Sequence, residues 1–242
     1  MNFENNYIEE NKELSQYFLK EQIFLPKEEW SEDFMNYVDK KFDQENRDCP
    51  TRSPEEEQDF IFNRYLKGFD IKEDDIKDKN IFDLGCGDGE FVKECLEKGV
   101  SDGVYGLDYE IEDIDERYQN HIFQGDFTKK LPKDNLDIIL SYGAIGSYSH
   151  DYIKLKQILL GSLDSLNEKG EIRICPVQLV PPNSELVGFK EDRENLEKVL
   201  ADIKQKFNIF YEFKPIDIRA AGKDKDVWLE EVLIIKKNPI SR

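Results

Sequence analysis

"NIFDLGCGDGEF", residues 80–91, contains the pattern from which the fold can be inferred. A short apolar run ends at Asp83 and Leu84, and glycines at every second position follow among acidic residues. A strand that runs into a glycine-rich turn is typical of nucleotide-binding sheets, because glycine lets the chain turn tightly and lets a ligand approach the backbone. The neighbouring carboxylates disfavour a phosphate, so the stretch predicts a ligand without one.

The same alternation of short apolar runs and helix-like segments continues along the chain. The runs are NIFDL, GVYGLD, HIFQGD, LDIILS and EIRICPV. The clearest helical segments between them are 90–98 and 151–167, and the acidic connection after Asp108 predicts only a brief or irregular helix. This order predicts a parallel sheet with helices on both faces. After an amphipathic helix at 192–207, NIFYEF and VWLEEVLIIKK have no helical pattern between them, which predicts an antiparallel pair at the sheet edge.

The N-terminal part of the chain has a different, helical periodicity. Its apolar stripes are Leu14, Tyr17, Phe18 and Leu19; Trp30, Phe34, Tyr37, Val38 and Phe42; and Phe60, Ile61, Tyr65 and Leu66. Ser53, Pro54 and Glu56 are a strong start signal for the third helix, and Gly68 is a stop signal. We expect these aromatic residues to be core, and we divide the chain into a helical cap at 1–78 and a core domain at 79–242.

Composition restricts the partners. The 242 residues contain 53 Asp and Glu against 34 Lys and Arg, which gives a net charge of -19. Lys129, Lys130 and Lys133 form the one tight central basic cluster. Binding to a phosphate backbone depends on basic side chains, so nucleic acid is disfavoured as a partner.

Other features of the sequence predict an intracellular protein without metal. The N-terminus has neither the basic start nor the apolar core of a signal peptide, and no apolar run reaches the ~20 residues that cross a bilayer. The cysteines at 49, 86, 95 and 175 form no CxxC pair, so we expect reduced thiols in the cytoplasm. With two histidines and no metal-ligand spacing, no metal site is expected.

The strand ends supply the functional candidates, because ligands of parallel sheets bind at the carboxyl ends of the strands. Asp83 ends the first strand, and Asp108 ends the second about 20 residues after the glycine loop, where a carboxylate can bind both hydroxyls of a ribose. The third ends at Asp126 and Phe127, an acceptor and an apolar wall. Together these residues predict a pocket for an adenosine without phosphate.

This set of motifs resembles the class I S-adenosylmethionine-dependent methyltransferases. DLGCGDG is similar to their first motif, Asp108 to their acidic second strand end, GDF to their adenine-recognition strand, LDIILSYGAIGSY to their fourth strand and its exit loop, and LNEKGEIRI to the turn into the fifth strand. The resemblance covers roughly residues 80–237. It implies a Rossmann-like, doubly wound seven-stranded α/β sheet in the order 3-2-1-4-5-7-6, with the seventh strand antiparallel, S-adenosylmethionine as cofactor and S-adenosylhomocysteine as product.

The resemblance also implies roles for individual residues. Gly85, Cys86 and Gly87 lie against the methionine part and the ribose, and Asp83 positions the amino group. Asp108 binds the ribose hydroxyls, and Tyr109 lies against the adenine face. Asp126 accepts from the adenine amino group, and the Phe127 amide donates to the ring. Ser141 and Tyr142 face the methionine tail and the transfer point.

Several of these residues have plainer interpretations. An aspartate at a strand end can simply cap a turn. Cys86 between two glycines fits a small space-filling residue better than a nucleophile, since no histidine is placed to activate it. His121 starts a strand and is interpreted as structural. His150 is a candidate general base, but Ser149 or His150 could instead cap the helix that begins near Asp151.

The acceptor is less well marked, because methyl transfer is an in-line displacement at an already activated carbon and needs no catalytic dyad. Substrate-facing positions are expected in the exit loop 142–150, in the loop PVQLVPPNSEL and in the N-terminal helices, with Tyr142, Tyr148 and His150 as candidates. SYGA stands where amino-directed base methylation has an Asn-Pro-Pro-Tyr type of signature. A small-molecule acceptor is therefore preferred.

Three alternatives stay open at this point. They are a protein or RNA methyltransferase, a nicotinamide-dependent oxidoreductase, and a non-catalytic module that binds S-adenosylmethionine. The oxidoreductase would need its third glycine three residues after the second, whereas here it comes after two. The sequence gives no oligomeric state.

Overall fold

The computed structural model describes residues 16–45, 60–112, 114–221 and 226–238. Its strands form one seven-stranded sheet in the order β3-β2-β1-β4-β5-β7-β6, which confirms the predicted topology. The strands are β1 (Ile81–Leu84), β2 (Val104–Asp108), β3 (Ile122–Gln124), β4 (Leu136–Tyr142), β5 (Leu166–Leu179), β6 (Ile209–Ala221) and β7 (Asp226–Lys237). Every apolar run that predicted a strand forms one.

Strand direction also agrees with the prediction. β1 pairs in parallel with β2 and β4, β2 with β3, and β4 with β5. β7 lies antiparallel between β5 and β6. All four residues of β1 are buried, as expected for a central parallel strand covered on both faces. The carboxyl ends of β1 to β4 therefore meet at one edge of the sheet.

The helices cover both faces of the sheet. They are α1 (Gln16–Ile23), α2 (Glu32–Glu45), α3 (Phe60–Gly68), α4 (Glu73–Ile76), α5 (Glu90–Glu97), α6 (Tyr152–Ser165) and α7 (Val187–Lys206). One hydrophobic cluster joins α3, α4 and α5 to the sheet, and a second joins α6 and α7 to it. In the described part of the acidic connection after β2, the helical structure is a short 3-10 turn at Glu116–Tyr118, as the sequence predicted.

The N-terminal helices divide between two places. Ile23 of α1 and Phe34 of α2 pack with Ile218 and Leu229, on the long β6–β7 pair. In contrast, α3 packs on α5 beside the glycine-rich turn. The start signal at Ser53, Pro54 and Glu56 lies outside the described residues, as do Leu14 and Cys49. The division at residues 78 and 79 stays a prediction.

A buried ion cluster holds α1 and α7 against β7. Glu231 is completely buried, and its two carboxylate oxygens accept from Lys20 at 3.0 Å and from Arg193 at 2.6 Å. Arg193 also donates to Glu197 at 2.7 Å, and its guanidinium lies 3.5 Å from the ring centre of Phe213. A buried carboxylate requires such partners, because burial of an unpaired charge is costly.

One further finding concerns membrane-spanning helices, and another concerns the bounds of three elements. In the parts of the sequence that the structure describes, no helix is both long enough and apolar enough to cross a bilayer. Helix α7 starts at Val187, five residues before the predicted start at Asp192, and β5 and β6 run several residues beyond their apolar runs.

Candidate functional site

The glycine-rich turn after β1 contacts the segment that follows β4. Gly85 has a φ of +80°, in the left-handed region that favours glycine, and its amide donates to the Leu107 carbonyl at 2.8 Å. A Cβ on Gly85 would stand 2.0 Å from the Cβ of Ala144. Glycine is therefore required here both for backbone conformation and for space, and the turn and the β4 exit segment form one surface.

Asp108, at the end of β2, is bonded to the glycine-rich turn. Its Oδ2 accepts from the Gly87 amide at 2.8 Å, and its Oδ1 accepts from the amides of Tyr109 at 2.6 Å and Glu110 at 3.3 Å. The side chain of Tyr109 is 59% exposed beside it. The structure thus brings together Gly85, Gly87, Asp108 and Tyr109.

Asp126 and Phe127 follow β3 at the same edge. Oδ1 of Asp126 accepts from the Thr128 hydroxyl at 2.7 Å and from the Thr128 amide at 2.9 Å. These hydrogen bonds lower the pKa of Asp126, so it is a stable carboxylate acceptor. Phe127 is buried and meets Tyr148 edge to face, with ring centres 5.5 Å apart. Phe127 and Tyr148, predicted separately, are therefore in contact.

Asp83, the last polar residue of β1, is completely buried. Its Oδ2 accepts a hydrogen bond of 2.9 Å from the Tyr65 hydroxyl of α3, and its Oδ1 has no partner among the described residues. The pKa of Asp83 is raised to about 7, and burial is the largest cause; the nearby Asp108 and Glu90 act in the same direction, whereas the Tyr65 hydrogen bond lowers it.

Ser141 and Tyr142, at the end of β4, have different environments. Ser141 is completely buried, and its hydroxyl accepts from the Ile145 amide at 3.0 Å, which holds the exit segment in place. Tyr142 is partly exposed and stacks on Tyr65 at 5.2 Å between ring centres. The Arg64 guanidinium lies 4.4 Å from the centre of the Tyr142 ring.

The thiol and imidazole candidates differ in exposure. Cys86 is buried, and burial raises the pKa of its thiol, which agrees with a space-filling residue. His121 is stacked on Tyr105 and bonded through Nδ1 to the Val104 carbonyl, a structural position. His150 is exposed. The alternative that Ser149 or His150 caps α6 is wrong: Asp151 is the N-cap, and its carboxylate accepts from the Lys154 amide.

Sequence reasoning assigned Tyr65 to the core and did not connect it with Asp83. A signal for the connection was present, because a tyrosine in a buried stripe of Phe, Ile and Leu needs a hydrogen-bond partner for its hydroxyl. The apolar periodicity of the helix does not indicate which polar group accepts the hydrogen bond from this hydroxyl. Arg64, the neighbour of Tyr65 in α3, was also missed.

Two hollows lie beyond this edge. A narrow recess lies between the β4 exit segment, β5 and α7. Its lining includes Ile145, Gly146, Ser149, Pro176, Phe189 and Asp192. A larger cavity of about 280 Å³ lies between residues 23–30, residues 181–185 and the start of β7. The larger cavity begins beyond Leu179. At a strand rise of about 3.3 Å per residue, Leu179 lies roughly 13 Å along β5 from Cys175, the residue that pairs with Tyr142. The larger cavity is therefore distant from the end of β4.

A family model described as FtsJ-like methyltransferase matches residues 64–225, more than half of the chain. The chain belongs to the FtsJ-like methyltransferase family. It is accordingly an S-adenosylmethionine-dependent methyltransferase, and its sheet has the strand order expected of this fold. The matched region of the family begins at Arg64 and so includes most of α3.

Solved structures with a similar fold include other methyltransferases. One from Clostridium acetobutylicum is 10% identical, covering 85% of this chain and 98% of its own, with a TM-score of 0.44. A phospholethanolamine N-methyltransferase 2 from Haemonchus contortus, in complex with S-adenosylhomocysteine, is 13% identical, covering 75% and 53%, with a TM-score of 0.49. Likenesses at this level add nothing to the family assignment. No curated protein sequence matches the chain.

Proposed function

We propose that this methyltransferase binds S-adenosylmethionine along the carboxyl ends of β1 to β4 and methylates a small-molecule acceptor. In this proposal Asp83, Gly85, Cys86 and Gly87 lie at the methionine end, Asp108 and Tyr109 at the ribose and adenine, and Asp126 and Phe127 at the adenine rim. Ser141 and Tyr142 are the proposed cofactor residues of β4, with Ser141 acting through the exit segment that its hydroxyl holds.

The single observation that carries the proposed cofactor site is the unpartnered Oδ1 of Asp83. A fully buried carboxylate oxygen without a hydrogen bond is costly, and a ligand with an ammonium group supplies the missing donor. Asp108 and Asp126 add acceptors nearby, at positions fixed by backbone amides. This set of acceptors fits a cationic, phosphate-free nucleoside, which is the chemical character of S-adenosylmethionine.

Charge supports a small acceptor over a nucleic acid. The chain has a net charge of -19, and Asp83, Glu90, Asp108, Glu110 and Asp126 lie at or beside the proposed cofactor edge. A phosphate backbone that approached this edge would meet negative potential, whereas a neutral or cationic small molecule would not. Acidity therefore selects against RNA as the acceptor.

The narrow recess beside β4 is the proposed entry of the acceptor. It is lined by Ile145 and Ser149 of the exit segment on one side and by Phe189 and Asp192 of α7 on the other. His150 is exposed at the end of this segment. Burial raises the pKa of Asp192 in the recess, and the nearby His150 partly opposes this rise. We propose His150 as a general base only for acceptors that are protonated when they react.

The sulfonium of the bound cofactor supplies an activated methyl group. The protein has to orient the acceptor and exclude water, and the partly exposed ring of Tyr142, held from behind by the buried rings of Tyr65 and Phe69, provides a rigid apolar surface for this purpose. We also propose a cytoplasmic location, supported by the free, buried thiols of Cys86, Cys95 and Cys175.

Methyl-labelled cofactor tests the acceptor class. A cell extract is divided into a small-molecule filtrate, total RNA and protein, and each fraction is incubated with the enzyme and labelled S-adenosylmethionine. Label is expected in the filtrate and not with heat-inactivated enzyme. Label that appears in RNA, and is released by nuclease, would refute the small-molecule proposal in favour of an RNA methyltransferase; label in protein would do the same for a protein acceptor.

A further inference from the structure

Helix α3 reaches the proposed cofactor edge through the hydroxyl of Tyr65. The Tyr65 hydroxyl donates to Oδ2 of Asp83 at 2.9 Å, and Tyr65 is 7% exposed while Asp83 is fully buried. Phenylalanine would fill the same apolar space without the hydroxyl. The contact therefore serves the carboxylate of Asp83 and not the packing of the ring.

The ring of Tyr65 is fixed on several sides. It stacks on Phe91 with ring centres 4.3 Å apart and an interplanar angle of 11°. It also stacks on Tyr142 at 5.2 Å and meets Phe69 edge to face at 5.4 Å. Rings packed in this way hold their polar tips at one position. The position of Oδ2 is consequently set by α3, α5 and β4 together.

Once Oδ2 is fixed, the direction of Oδ1 is fixed as well, because a carboxylate is planar. This oxygen is buried and lacks a hydrogen-bond donor in the described part of the chain. The buried oxygen is thus presented as a preorganised acceptor, which lowers the cost of binding a donor there.

Several charged groups face Asp83. Asp108 of β2 and Glu90 of α5 disfavour its ionised form, and so does burial. Tyr65 is the group on α3 that favours the ionised form by hydrogen bonding, while Arg64 of the same helix lies over Tyr142. Cys86, in the glycine-rich turn, has a raised pKa and is neutral at ordinary pH. The hydroxyl of Tyr65 is therefore well placed to maintain the carboxylate of Asp83.

We propose that Tyr65 is a positioning residue for the cofactor's amino group: it holds Oδ2 of Asp83 and leaves Oδ1 to accept from the ammonium. This inference rests on the proposed cofactor site and adds α3 to it. Tyr65 does not contact the reacting atoms in this scheme; it acts through Asp83.

Tyr65→Phe tests the inference by binding, with two probes. S-adenosylhomocysteine has the amino group, whereas 5′-methylthioadenosine has the adenosine and thioether without the amino acid. Calorimetry at pH 7.5 is expected to show roughly tenfold weaker binding of S-adenosylhomocysteine to Tyr65→Phe, the effect of weakening one charge-assisted contact. Binding of methylthioadenosine is expected to be unchanged.

The pH profile separates positioning from general structural damage. Ionised Asp83 attracts the ammonium, so affinity for S-adenosylhomocysteine should fall as the pH drops through the pKa of Asp83, about 7. Loss of the Tyr65 hydrogen bond raises that pKa, so the fall should occur at higher pH in Tyr65→Phe. Tyr118→Phe is the control, because its hydroxyl also donates to a carboxylate, that of Glu97, and should leave both the affinities and the profile unchanged.

A second variant keeps the test decisive if Tyr65→Phe folds poorly. Asp83→Asn should weaken S-adenosylhomocysteine binding and remove the pH dependence, and adding Tyr65→Phe should then weaken binding no further. Equal weakening of both probes by Tyr65→Phe, or an additive effect in the double variant, would overturn the inference. If the wild-type protein bound neither probe, the proposed cofactor site itself would be refuted.

Discussion

Gly85 and Ala144 are in direct contact across the proposed cofactor edge, such that a Cβ on Gly85 would lie 2.0 Å from the Cβ of Ala144. One residue belongs to the turn after β1 and the other to the segment after β4. The contact joins the glycine-rich turn to the segment that leaves β4. A change in either segment is therefore expected to move the other.

Gly85→Ala should destabilise the protein more than Gly143→Ala. Both glycines have a φ of +80°, which costs an alanine roughly 1–2 kcal/mol, but a Cβ on Gly143 meets nothing within 4 Å. The collision with Ala144 should add about 1–3 kcal/mol at Gly85. Urea unfolding of both variants measures the difference. Equal losses would show that the exit segment moves aside freely.

Asp83→Asn should change the pH dependence of stability. The pKa of Asp83 is raised to about 7 in the folded protein from its ordinary value of 3.8, so its favourable contribution is present below about pH 4 and is lost as the pH rises through 7. The asparagine variant lacks this loss. The free energy of unfolding of this variant should therefore increase relative to that of wild type between pH 4 and 7, by up to about 4 kcal/mol. A difference that stays constant or shrinks over this range would contradict the burial of an ionisable Asp83.

The strands were predictable because each is a short apolar run that ends at a turn. NIFDL and LDIILS become β1 and β4 with their ends displaced by a single residue. The beginning of β5, residues 166–170, and the far half of β6 were not predictable in this way, since polar residues interrupt any continuous apolar run there. The far half of β6 is stabilised by pairing with β7, a long-range contact that local periodicity does not encode.

The candidate site shows the same limit. Asp83, Asp108 and Asp126 could be identified because parallel strand ends must meet at one edge. The partner of Asp83 could not, because Tyr65 is 18 residues away in sequence, in a helix whose docking depends on aromatic packing. The separate attachment of α1 and α2 to the β6–β7 pair likewise depends on Ile218 and Leu229, far along the chain.

Glu231→Gln should be strongly destabilising. It removes the charge that pairs with Arg193 at 2.6 Å in a buried setting and with Lys20 at 3.0 Å. Loss of one partner of a buried ion pair typically costs about 3–5 kcal/mol. Lys130→Met is the control, because its pair with Asp134 is exposed and should contribute less than about 1 kcal/mol. Thermal and urea unfolding measure the loss of unfolding free energy in each variant. Equal losses in the two variants would contradict this interpretation.

Calorimetric titration with S-adenosylhomocysteine, carried out on wild type, Asp108→Ala and Asp137→Ala, tests the proposed cofactor site most directly. Asp108 lies at the carboxyl edge, whereas Asp137 accepts from Asn80 and Asn167 at the opposite end of β4. We expect one site per chain in wild type, a loss of about 1–3 kcal/mol of binding free energy in Asp108→Ala, and no loss in Asp137→Ala. Absence of binding to wild type, or equal weakening in both variants, would contradict the proposed site.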